Sequence, residues 1–149
     1  MPLPNPINIH PLDLNANVAI GVVFPLMNEG TFEQSFTTKE QVKTNILSVL
    51  LTEPGERLFL PNFGVGLKGL LFENLTNTQI INDTIADQLD THVPEIEVID
   101  LDVQFNKNTH TLNVRLSYSI QFENQTDSIQ VNIAGSPDGV DIYKSVGGF

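Results

Sequence analysis

Residues 111–122 read "TLNVRLSYSIQF", with Leu112, Val114, Leu116, Tyr118, Ile120 and Phe122 on every second position. Successive side chains of a strand point to opposite faces. Six apolar residues at period two therefore predict one strand with a buried face and a wet one. The neighbouring stretches share the pattern. In "IEVIDLDVQF" (96–105), Ile99, Leu101, Val103 and Phe105 alternate with Asp100, Asp102 and Gln104. In "SIQVNI" (128–133), Ile129, Val131 and Ile133 alternate with polar residues. "NKN" (106–108) and "ENQTD" (123–127) supply turns between them. The reading is a three-stranded antiparallel meander with one solvated face.

Upstream the period changes to that of a helix. In "TTKEQVKTNILSVLLT" (37–52), Val42, Ile46, Val49 and Leu50 share one face. Two capping-box registers are open at its start, Thr37 with Glu40 and Thr38 with Gln41. Pro54 and Gly55 end it. "LTNTQIINDTIADQLDTHV" (75–93) is a second helix, with Thr76 as cap, Leu75 and Ile80 as a staple, and Ile81, Ile85 and Leu89 as the buried stripe. A short helix fits 66–73, and "NVAIGVVFPL" (17–26) fits a strand stopped by Pro25. Helices followed by strands imply an α+β fold. Two main helices pack on a three- to four-stranded, mainly antiparallel sheet.

Three regions follow. Residues 1–17 hold four prolines, at 2, 4, 6 and 11, and read as an extended arm. Residues 18–134 form one domain. Residues 135–149 are Gly-rich and read as a flexible tail. The strand at 128–133 carries no charge. Read as an edge, it would invite pairing with another chain.

Composition narrows the function. The 149 residues suffice for one core. Seven basic against eighteen acidic residues give a net charge of −11. That opposes a phosphate-binding surface, so no nucleic-acid partner is expected. No apolar run reaches the roughly 20 residues of a membrane helix, and "MPLPNPINIHPLDL" does not read as a signal peptide. The absence of cysteine removes thiol nucleophiles and Cys-ligated metals. The sequons at Asn74, Asn82 and Asn124 carry no weight without a sign of secretion.

One stretch invites an enzymatic reading. In "FGVGLKGLLFE" (63–73), Gly64, Gly66 and Gly69 match G-x-G-x-x-G. A dinucleotide fold needs a strand entering the first glycine, a full helix after the last, and a parallel strand beyond. Here Pro61-Asn62 precedes, a second helix cap follows within a few residues, and the later strands are antiparallel. Tight turns explain the glycines better. Glu53, Glu56 and Glu73 could form a glycosidase pair only in a cleft at the right separation. His10, His92 and His110 share no metal-ligand spacing, and Asp83, Asp87 and Asp90 line a solvated helix face. Ser48 and Ser117 lack a matching base. No catalytic residue, metal or cofactor is expected. Arg57 stands out as a rare cation inside a Pro/Gly-shaped turn, fit to anchor it against a carboxylate or a partner.

"ILSVLLTEPGERLFLPNFGVGLKGLLFEN" (46–74) resembles the signature of the small baseplate wedge protein family of contractile phage tails. A baseplate component of type VI secretion systems is related to it. The matching positions are Leu51-Thr52, Gly55-Glu56-Arg57, Pro61-Asn62-Phe63-Gly64 and Leu71-Phe72-Glu73. "AIGVVFPL" upstream and the helix-then-meander order extend the likeness over about 18–134. The family usually carries a Glu-Pro-Arg triplet after the long helix. Here the position reads Val93-Pro94-Glu95, so the charges are lost or reversed.

The resemblance implies a structural protein of the virion tail baseplate, assembled in the host cytoplasm. It implies docking on larger wedge subunits, and the family's triplet is the implied contact. It further implies a strand edge where the tail sheath protein's first ring attaches, with tail tube and hub proteins nearby. Candidate partner-binding residues are Glu56, Arg57, Pro61, Phe63, Gly64 and Pro94, together with Ile129, Val131 and Ile133 on the expected edge. The alternative reading is a peptidoglycan hydrolase of the tail-lysozyme kind. A free-standing protein-binding module is a third.

Overall fold

The alternating pattern folds as a meander, and a fourth strand extends it. The computed structural model describes residues 11–15, 17–22, 34–73, 77–121, 125–134 and 140–143. In chain order, β1 (Gly21–Val22) pairs with β2 (Gln34–Ser35), and α1 (Thr38–Leu51), α2 (Leu67–Leu70) and α3 (Thr78–His92) follow. Then come β3 (Ile96–Asn106), β4 (Thr111–Ile120), β5 (Gln125–Ala134) and β6 (Val140–Tyr143). The main sheet is antiparallel throughout, in the order β3-β4-β5-β6. The α+β expectation holds, with four strands in the main sheet.

The buried face is the one the periodicity marks. Leu112, Val114, Leu116, Tyr118 and Ile120 of β4 are buried, as are Ile129, Val131 and Ile133 of β5. Val42, Ile46, Leu47, Val49 and Leu50 of α1 meet them, with Ile81, Ile85 and Leu89 of α3. Each fully buried large aliphatic side chain contributes roughly 1.5–3 kcal/mol.

β3 departs from strict alternation. Its register against β4 shifts between Val98 and Asp100, so Ile99 is the extra residue of a β-bulge. The bulge resets the phase: Ile96 and Val98 face the core before it, Leu101, Val103 and Phe105 after it. Ile99, expected among the inward residues, is 56% exposed. The adjacent apolar pair Val98-Ile99 forces a choice of phase, and the bulge lets the strand serve both.

The helix starts also differ in detail. Thr37 caps α1 and its side chain accepts from Glu40 N, which selects the Thr37/Glu40 register. The Glu40 carboxylate accepts from Phe36 N at 3.1 Å. Asp13, in a 3-10 turn over Pro11–Leu14, accepts from Thr38 N at 2.8 Å and from the Thr38 hydroxyl, docking the arm's end on α1. For α3 the cap is Asn77, not Thr76, with its side chain accepting from Gln79 N at 2.9 Å. Ile80 is exposed; its expected staple partner Leu75, and Thr76, lie outside the described residues, as do Pro25, most of the arm, and Phe122.

Two expectations about the C-terminal part are corrected. The strand at 128–133 is not an edge, because Gln130–Ile133 pair with Val140–Tyr143. Part of the stretch read as a flexible tail is therefore β6; the rest of 135–149 lies outside the described residues. "VDIY" itself alternates, a signal too short to weigh against the surrounding glycines. The strand is also longer and not uncharged. β5 starts at Gln125 and includes Asp127, which is buried. Lys43 Nζ lies 2.9 Å from its carboxylate and Lys39 Nζ 3.8 Å. Both lysines sit four residues apart on α1, so this ion triad ties the helix to the sheet. The phenol of Tyr118, opposite Asp127 across the β4–β5 ladder, is buried with no hydrogen-bond partner among the described residues. Burial, then the Asp127 charge, push its pKa well above the usual tyrosine range.

Candidate functional site

Residues 53–66 cross from α1 to α2, and their own backbone holds them. Gly55 N–H donates to Pro61 O at 2.9 Å and closes the base of the loop. Glu56 N–H donates to Glu53 O, Leu60 N–H to Arg57 O, and Phe63 N–H to Leu60 O, at 3.1 to 3.2 Å. Val65 N–H reaches Val49 O and Gly66 N–H reaches Thr52 O, both at 2.9 Å, so the loop's exit is sewn to the end of α1. Gln88 of α3 clamps the same bend: its Oε1 accepts from Gly64 N at 2.9 Å, and its Nε2 donates to Asn62 O at 3.0 Å.

Arg57 is the internal anchor. Its guanidinium donates to Ser48 Oγ at 2.7 Å and sits 3.9 Å over the centre of the Phe63 ring. The His92 ring meets Phe63 edge-on at 4.7 Å. Arg57, Phe63 and His92 thus stack in series, joining loop, core and the end of α3. The Glu56 carboxylate accepts from Glu53 N at 3.1 Å. Arg57 and Glu56 are exposed, yet each also bonds within the turn, so both help to shape it.

Gly64 has φ of +104°, and a Cβ there would fall 2.2 Å from Thr52 O. Only glycine fits that approach. Gly66, at φ +66°, caps α2 in the left-handed region. The amides of Gly64, Gly66 and Gly69 donate to Gln88 Oε1, Thr52 O and Gly66 O. A phosphate would find none of the three free.

The folded loop turns apolar side chains outward. Leu58 is 89% exposed, Phe59 91% and Leu60 48%. Periodicity does not mark these residues, because it reports apolar groups that face a core. The signal that could have found them was three consecutive apolar residues between Arg57 and Pro61.

The remaining candidates scatter. Pro61 and Pro94 are exposed. Val93 is buried and caps α3 through its N–H to Leu89 O at 2.8 Å. No charge can act from that position. Glu95 is half-buried at the entry to β3, with one carboxylate oxygen buried and unpaired among the described residues. Ile129, Val131 and Ile133 turn inward, so a partner could meet only their strand's main chain, and β6 already covers 130–133. Glu53, Glu56 and Glu73 are all exposed. Among the described residues no His/Asp/Glu group has the arrangement of a metal site. No helix of the described chain is long and apolar enough to cross a membrane.

This architecture has relatives. A crystal structure from Geobacter sulfurreducens, carrying the provisional name tail lysozyme, superposes with a TM-score of 0.58 at 20% identity. It covers 69% of this chain and 96% of its own, which establishes a shared fold. A chain of the anti-feeding prophage baseplate aligns at 21% identity over 77% of this chain and 84% of its own, with a TM-score of 0.45. The baseplate wedge protein gp25 of Enterobacteria phage T4 is 29% identical over 96 residues, 62% of this chain and 70% of its own. The model of the family "Baseplate wedge protein gp25" matches residues 37–125, from the cap of α1 to the start of β5 and through the whole 53–66 loop. More than half of the chain is covered, and on that match the chain belongs to the gp25 family of baseplate wedge proteins, structural parts of the virion's tail baseplate.

Proposed function

We propose that this chain is a non-enzymatic component of a contractile tail's baseplate wedge, which docks on larger wedge subunits and offers the attachment edge for the first sheath ring. One observation carries the docking part. The 53–66 loop is fixed to both long helices by internal bonds, so it forms a rigid projection and not a mobile connection. With Val93 buried in place of a charged residue, the contact falls to residues other than a Glu-Pro-Arg triplet.

A comparison of the two sides of the sheet supports one of them as the sheath edge. β3 is an edge bearing Glu97, Asp100 and Asp102 and kinked by its bulge. Charges and bulges blunt strand pairing. The β6 side carries neither bulge nor acidic row in its described residues, apart from Asp141, and is the side open to strand addition.

Particles lacking this chain test the reading. Electron microscopy should show tubes without attached sheath, and supplying the chain should restore sheathed tails. Normal sheathed tails in its absence would refute the proposal. Cell-wall clearing lost on Glu53→Gln, Glu56→Gln or Glu73→Gln would support the hydrolase reading instead.

A further inference from the structure

We propose that Leu58 and Phe59 are the side chains that enter the partner, and that the partner is a different protein chain presenting an apolar pocket with a basic rim. The inference rests on the baseplate reading and names its contact. Leu58 and Phe59 are almost fully exposed on a turn closed by Gly55 N–H to Pro61 O and Leu60 N–H to Arg57 O. Exposing two large apolar side chains is costly in water unless a partner covers them. The turn is held by its own main-chain bonds and by Gln88, so less conformational entropy remains to be lost on docking. An aromatic anchor on a rigid support is the usual centre of a binding hot spot.

Charge selects the partner. Glu53 and Glu56 stand exposed at the base of the projection. Arg57, also exposed, keeps its charge but is drawn back onto Ser48 and Phe63. Two carboxylates against one guanidinium leave an acidic excess beside the apolar tip, on a chain of net charge −11, which complements lysine and arginine at a pocket's rim. A second copy fits poorly, because each chain carries a net charge of −11. An anionic membrane surface is disfavoured for the same reason.

The test uses the full chain in the particle that encodes it. Leu58→Ser with Phe59→Ser should leave the melting temperature within a degree or two of the parent's. It should cut the amount of chain in purified tails at least tenfold, read by quantitative mass spectrometry. Glu53→Gln with Glu56→Gln keeps acceptor oxygens and removes charge; it should cut incorporation about threefold and weaken its salt dependence. Normal incorporation of the serine variant, with the parent chain present in tails, overturns this contact and leaves the baseplate reading intact. Absence of the parent chain from tails overturns the baseplate reading itself. Normal incorporation of the glutamine variant overturns the basic-rimmed partner. Dimerisation of the parent chain that the serine variant loses assigns the surface to a second copy and also overturns the proposal.

Discussion

In the meander, Leu112, Val114, Leu116 and Ile133 are wholly buried, and little polar chemistry is needed to place them. In the 53–66 loop the relation is reversed. Only Phe63, Gly64, Val65 and Gly66 are buried, while Leu58 and Phe59 face water. Main-chain bonds, one arginine and one glutamine fix its shape. The sheet spends its apolar side chains on its own stability. The loop uses polar bonds for order and keeps apolar side chains for display. A structural protein needs both: a core that stands alone and a projection that is fixed before a partner arrives.

The comparison can be broken at the core first. Leu116→Ala should cost about 3.5 kcal/mol in urea unfolding, the cavity value for a fully buried leucine. A loss below about 1 kcal/mol would mean the sheet is not the stability reservoir. Gly64→Ala should follow at about 3 kcal/mol, since the methyl group meets Thr52 O and the backbone φ is positive. Here the loss should be accompanied by faster protease cleavage within 53–63. Intact resistance would show that the bend is looser than its bonds imply.

Lys43→Met retains the apolar stem and removes the charge, leaving Asp127 with only the more distant Lys39. We expect a loss of about 2 kcal/mol, less than for a wholly enclosed pair because Lys43 is partly exposed. Arg57→Ala should cost about 1 kcal/mol, through the Ser48 bond and the stack on Phe63. Hydrogen exchange should rise at Leu60 and Phe63 amides while β4 stays protected. Equal loosening of both would erase the distinction between the regions.

The smallest effect concerns Tyr118. Its raised pKa means the folded chain keeps a proton that the unfolded chain gives up above the ordinary value of 10.0. Its contribution is therefore complete below pH 10 and declines as pH rises beyond it. Tyr118→Phe removes an unpartnered hydroxyl, so it should change stability by less than about 1 kcal/mol at neutral pH. The alkaline decline should be shallower than in the parent. An identical decline would place the phenol in water.

The sequence made the two regions unequally legible. Six residues at period two marked β4, because burial on one face leaves a regular trace. The α1 and α3 faces were readable for the same reason. The bulge at Ile99 was not, since Val98-Ile99 satisfies either phase and only the pairing with β4 decides. β6 was missed because four alternating residues sit among glycines. Asp127 reads from sequence as part of a turn, because its lysine partners lie far upstream on α1. In the loop, the motif marks Glu56, Arg57, Phe63 and Gly64 as candidate partner contacts. In the structure they also shape the turn, through the bonds of Glu56, Arg57 and Gly64 and the stack on Phe63. The residues that shape gives to solvent, Leu58 and Phe59, carry no motif of their own.

A reconstruction of the intact tail of the particle that encodes the chain would show whether the 53–66 loop is a prebuilt contact within a baseplate. This fold should stand in the baseplate with Leu58 and Phe59 enclosed by a neighbouring subunit and the 53–66 backbone unchanged. A chain seated there with both side chains in solvent, or with the loop refolded, would contradict a prebuilt contact.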